Sequence, residues 1–163
     1  MNERGFIYMA SKKKLRNDDL VEVMNYTVGE LIYVNPRTQE TWIWSGFGDV
    51  QPIPYIEIKT IKSTHPKFIY EPWFIILDDN VVDTLGLTKL YENIIKPDEI
   101  DKFYNMDTNE MVEILEKAPE NVKLLIAQLT KDKIQKKEFG DLFKIRLIEE
   151  ALKTDLLTEK DSV

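Results

Sequence analysis

The stretch Pro72-Trp-Phe-Ile-Ile-Leu-Asp-Asp79 marks the point where the pattern of the chain changes. No apolar run in the chain is longer than the five residues of Trp73 to Leu77. That length suits one buried strand, and it is far short of the roughly 20 apolar residues of a membrane helix. Asp78-Asp79 closes the run with turn and helix-cap chemistry. Upstream of this point the signals are β. Downstream they are helical.

On the β side, Leu20 to Tyr26 is rich in β-branched residues and partly alternates. Thr27-Val-Gly-Glu30 reads as a turn, and Leu31-Ile-Tyr-Val34 as a second strand. Asn35-Pro-Arg-Thr-Gln-Glu40 is another turn, because Pro presets φ and Asn can bond its own backbone. Thr41-Trp-Ile-Trp44 is a third strand. Short turns between three strands predict an antiparallel meander. Period two puts Trp42 and Trp44 on one face and Ile43 on the other. The pair either covers one side of a small sheet or offers an aromatic surface to a partner.

Ser45 to Pro52 reads as a loop that bends the chain; its glycines carry no phosphate-binding pattern. From Pro54, Ile56, Ile58 and Ile61 fit a short amphipathic helix, although alternation from Ile53 to Ile61 leaves a strand open. Pro66 is expected to end that element. Phe74 to Leu77 then completes the sheet.

On the helical side, Asn80 to Leu85 predicts a short helix, with Gly86 at the C-cap position. Leu87 to Ile95 reads as a further helix or turn, and Pro97-Asp-Glu99 opens another. Asp107-Thr-Asn-Glu110 has capping-box spacing ahead of Met111, Ile114 and Leu115. Pro119-Glu120 starts a helix carrying Val122, Leu125, Ile126 and Leu129. Gly140-Asp141 recaps a last one, with a stripe of Leu142, Ile145, Ile148 and Leu152. The expected fold is α+β: a small N-terminal antiparallel sheet packed on a C-terminal helical subdomain. The expected division is a basic arm (1–19), a β-rich subdomain (20–78), a helical subdomain (79–157) and a tail (158–163).

Composition narrows the chemistry. The 163 residues hold 22 Lys+Arg against 29 Asp+Glu, a net charge of −7, with one His and no Cys. The absent cysteines exclude disulfides, thiolate metal sites and a thiol nucleophile. One His excludes a multi-His site within one chain. His65, before Pro66 at an element boundary, suits a structural place better than a general base. Asp78, Asp79 and Asp83 could hold a hard cation such as Mg²⁺, yet the same residues are ordinary turn chemistry. Asp49, in the glycine loop, is equally ambiguous. No cofactor is expected.

Charge is uneven. Residues 1–20 carry five basic and three acidic groups, whereas 98–120 carry eight acidic and two basic ones. This contrast is either solvated surface or a pair of complementary docking faces. Four cations, Lys12, Lys13, Lys14 and Arg16, make only a weak, salt-sensitive nucleic-acid contact, so none is expected beyond that arm. The apolar stretch from Gly5 to Ala10 is too short for a signal-peptide core and is followed by the basic run Lys12 to Arg16, which argues against a secretory signal. A chain made in a cytoplasm, without membrane contact, is expected.

The order of motifs resembles that of small virion or structural proteins of tailed bacteriophages. Three features carry the resemblance over about residues 20–156. They are Arg37-Thr-Gln-Glu-Thr-Trp42 with Phe47-Gly48-Asp49; Pro72 to Asp79 followed by Leu85-Gly86-Leu87; and Lys117-Ala-Pro119 with Ile145 to Asp155. The resemblance implies a non-enzymatic protein, made in a bacterial host and assembled into or onto a phage head or tail. Its partners would be other virion proteins or itself, and it brings no catalytic residues. Contact candidates are Lys12, Lys13, Lys14, Arg16, Trp42, Trp44, Tyr55 and Tyr70. Two other readings stay open: a small acidic binding or inhibitor protein, and a Mg²⁺-dependent enzyme using Asp78 and Asp79.

Overall fold

The computed structural model describes residues 14–157. Two small sheets precede a helical half, and the chain is α+β as the sequence predicts. Strands β1 (Leu20–Asn25), β4 (Val50–Pro54) and β5 (Phe74–Ile76) form an antiparallel sheet in the order β4-β1-β5. Strands β2 (Leu31–Val34) and β3 (Thr41–Trp44) form a separate two-stranded hairpin.

The expected meander is therefore half right. β2 and β3 pair across the Asn35 turn, but β1 turns away from β2. It pairs instead with β4, Val21 opposite Ile53, and with β5, Val23 opposite Ile76. β4 was hidden in the sequence by Pro52 and Pro54. Proline donates no ladder hydrogen bond and is tolerated in a sheet at the edge, which is where β4 lies.

Helix α1 (Tyr55–Thr64) follows β4 directly, so the helical reading of this stretch holds and the strand alternative does not. Its first amides are satisfied from the preceding chain: Tyr55 N donates to Asp19 O at 2.8 Å and Ile56 N to Asn17 O at 3.0 Å. Pro66 does not simply terminate α1. It takes the first position of α2 (Pro66–Tyr70), where a missing N–H costs nothing. Asp78 caps α3 (Asp79–Thr84) by accepting from Asn80 N and Val81 N. Gly86 ends it at φ +72°, a conformation that favours glycine.

The helical half begins with α4 (Thr88–Tyr91) and a 3₁₀ turn at Pro97–Glu99. It continues with α5 (Ile100–Asn105), α6 (Thr108–Lys117), α7 (Glu120–Gln135) and α8 (Leu142–Leu152). Asp107 caps α6 through Asn109 N, and Asp141 caps α8 through Lys144 N. The α8 stripe is narrower than expected: Ile145 and Ile148 are buried, but Leu142 is 64% exposed.

The three-stranded sheet separates two apolar cores. Val21, Val23, Ile53, Phe74 and Ile76 face the first, with α1, α2, α3 and the hairpin. Ile75 faces the second, built from α5 to α8, with Met24 packed against it. Period-two alternation along β5 thus feeds both cores from three buried residues. Polar bonds tie the halves together. Tyr26 OH donates to Ile95 O, and Asn121 Nδ2 donates to Tyr26 O and Pro72 O at 3.0 and 2.7 Å. At the β5 edge, Ile76 N donates to the Tyr91 hydroxyl at 2.7 Å.

Candidate functional site: an apolar hairpin face and an acidic cleft

The β2–β3 hairpin has two unlike faces. Leu31, Tyr33 and Trp44 point inward and are buried. Trp44 donates from Nε1 to Val23 O at 2.9 Å and meets Phe74 edge-on at 6.0 Å between centroids. Trp42, half-buried, stacks on Tyr33 at 5.7 Å. The two tryptophans thus share a face, as period two requires, and that face is covered. The outward face is Ile32, Val34 and Ile43, exposed at 47%, 39% and 50%. Ile32 and Ile43 are direct cross-strand partners, so the three side chains form one small apolar surface.

A buried carboxylate anchors the hairpin. Glu57 on α1 accepts from Asn35 Nδ2 with both oxygens, at 2.9 and 2.8 Å, and from Tyr33 OH at 3.1 Å. The other end of Asn35 accepts from the amides of Arg37 and Thr38, which holds the turn. Burial, then the neighbouring Glu57 carboxylate, push the Tyr33 phenol well above its ordinary range, so it stays a donor. His65 packs edge-on against Tyr33 and Phe68, and its Nδ1 shares a hydrogen bond with Thr64 Oγ1 at 2.8 Å. That is a packing role.

The remaining candidates scatter. Lys12 and Lys13 lie outside the described residues. Lys14 and Arg16 are exposed, while Leu15 between them packs on the first core. Tyr55 is buried, with Lys59 Nζ 4.9 Å above its ring, so like Trp44 it offers no surface to a partner. Tyr70 is 47% exposed at the end of α2. Asp78 is a helix cap, and among the described residues no group of three or more His, Asp or Glu is placed to hold a metal ion. Asp49 accepts from Ser45 N at 2.8 Å, and that bond holds its carboxyl below the usual range. It stabilises its own loop.

In the helical half, a cleft of about 510 Å³ opens between the 92–95 segment, α5 and α6. Ile94, Ile95, Met106 and Ile114 supply its apolar wall, and Glu92, Glu99 and Glu113 its acidic rim. Lys102 and Lys117 also border it. Lys117 is engaged with Glu113 at 2.7 Å, which lowers the Glu113 carboxyl and raises the Lys117 ammonium. All eight acids of 98–120 are exposed.

Neither surface was found by motif. The hairpin face did have a signal: Leu31 to Val34 is apolar at every position, so one of its faces had to be left over once the other was covered. Among the described residues, no helix is long and apolar enough to cross a membrane. No protein-family model, curated protein or solved structure matches the chain.

Proposed function

We propose that this chain is a non-enzymatic structural or assembly protein of a bacteriophage particle, associated with its head or tail. It works by contact with other virion proteins or with itself, and it resides in the virion. The observation that carries the contact reading is the outward hairpin face. Ile32, Val34 and Ile43 are adjacent apolar side chains standing in solvent on a rigid, anchored element. Solvent-facing apolar clusters on ordered strands are what protein interfaces cover. The particle setting is supported by the motif order over residues 20–156, which resembles that of small virion proteins.

Mass spectrometry of purified particles beside infected-cell lysate tests the setting. Peptides from this chain are expected in particles at fixed stoichiometry, and their confinement to the lysate overturns it. The surface is tested by Ile32→Lys with Ile43→Lys. Incorporation into particles is expected to fall while the thermal melt of the pure protein stays nearly unchanged. Full incorporation of the double variant removes the hairpin face from the reading.

A further inference from the structure

We infer that the cleft between the 92–95 segment, α5 and α6 docks a lysine- or arginine-flanked apolar segment of a partner protein. The inference stands apart from the hairpin face and from the phage setting. It starts from the mismatch between the cleft's two parts. Its wall is apolar, with Met106 and Ile114 only half-buried. Met is flexible and polarizable, so it adapts to the shape of an inserted side chain. The rim carries three carboxylates, Glu92, Glu99 and Glu113, against two ammoniums, Lys102 and Lys117; Lys117 is engaged with Glu113, so the exposed Glu92 and Glu99 give the rim its net negative charge.

Charge complementarity selects the occupant. An apolar side chain entering the wall brings its neighbours to the rim, where carboxylates favour cations and repel acids. The acidic character continues past the cleft along α6. Glu110 and Glu116 lie three residues on either side of Glu113, so they are its neighbours on the helix surface. The three span roughly 9 Å of helix at about 1.5 Å per residue. An extended polypeptide covers that length in about three residues. An apolar hole with a surplus of carboxylates around it therefore fits a chain with an apolar anchor and flanking cations. The surplus of negative charge opposes a phosphate backbone as the occupant.

Fluorescence anisotropy with the full chain tests this. The probe is a labelled synthetic peptide with a central Leu-Phe pair flanked on each side by lysines. One control peptide replaces Leu-Phe by Ser-Ser, and another replaces the lysines by glutamates. Saturable binding of the probe is expected, with both controls weaker by about tenfold or more. The Glu92→Lys/Glu99→Lys double variant and Ile114→Ser should each weaken the probe by about tenfold. Glu30→Lys/Glu40→Lys makes the same change in net charge on exposed residues around β2, away from the cleft. It should leave affinity within about twofold. Absence of saturation overturns the inference. So does equal binding of the Ser-Ser peptide, which would show plain charge attraction, and so does equal weakening by the Glu30/Glu40 pair.

Discussion

At the residue scale, the most consequential side chain is one without a signature. Glu57 sits at 7% exposure, with its carboxylate held by Asn35 and Tyr33 rather than by a cation. Burying a charge is costly unless hydrogen bonds replace its hydration. Removing one partner therefore costs more than the bond itself, because the carboxylate stays buried. Asn35→Ala should destabilise the protein by about 3 kcal/mol in urea unfolding. Glu57→Gln should cost less, about 1–2 kcal/mol, since it keeps an acceptor but turns an amide donor toward Asn35. Equal stability of Asn35→Ala and wild type would show that the brace is not under load. Half of the role of Asn35 was legible: a turn Asn beside Pro36 is expected to bond nearby backbone, and its Oδ1 does so. The other half was not, because Glu57 is 22 residues away and nothing local in Tyr55 to Thr60 marks a buried acid.

At the element scale, the hairpin shows what periodicity conveys and where it stops. It correctly sorted Trp42 and Trp44 from Ile43, but the inward direction depends on what covers the element. Here α1, α2 and β5 cover the tryptophan face. Neighbouring residues in one strand should then respond oppositely. Trp44→Ala removes a fully buried ring together with its hydrogen bond to the Val23 carbonyl, so a loss of about 3–5 kcal/mol is expected. Ile43→Thr, one residue earlier and half exposed, should stay within about 0.5 kcal/mol. Chemical denaturation of the two variants checks this, and comparable losses would mean that the hairpin packs with its other face inward. The same contrast separates stability from proposed function, since Ile43 belongs to the contact surface and Trp44 does not. The pairing of β1 was out of reach for a related reason. Its partners β4 and β5 lie about 30 and 50 residues downstream, and proline masked one while the other is only three residues long. Local turn chemistry marks which strands are joined. It does not mark which edge a strand chooses when two longer-range partners bury more surface.

At the scale of the whole molecule, one sheet holds two cores together, and tyrosines sit at the joints. Tyr26 reaches Ile95 across the halves, Tyr91 takes the β5 edge amide, Tyr33 braces the hairpin, and Tyr104 shares a hydrogen bond with Thr130 at 2.8 Å inside the helical core. Burial pushes all four phenols above the ordinary value of 10.0, Tyr104 to about 12 and the others further. The sign of the consequence follows from proton counting. Above pH 10 the unfolded chain begins to lose these protons while the folded chain keeps them. The native state then binds more protons, and stability falls as pH rises. Each phenol held protonated contributes a slope of about 1.4 kcal/mol per pH unit above its unfolded value, so the four together give about 5 kcal/mol per unit. That rate removes a typical stability of about 5–15 kcal/mol within one to three units. The protein should therefore unfold cooperatively between about pH 11 and 13, with the stability below pH 10 largely unaffected by this group. Absorbance at 295 nm should show the four phenols ionising together with the loss of helical circular dichroism, not ahead of it. Because the joints lie on both sides of the sheet, the two cores should go in one transition. Smooth ionisation of all tyrosines near pH 10 with the helices intact would mean that these hydroxyls are open to water and that the two cores are not joined through them.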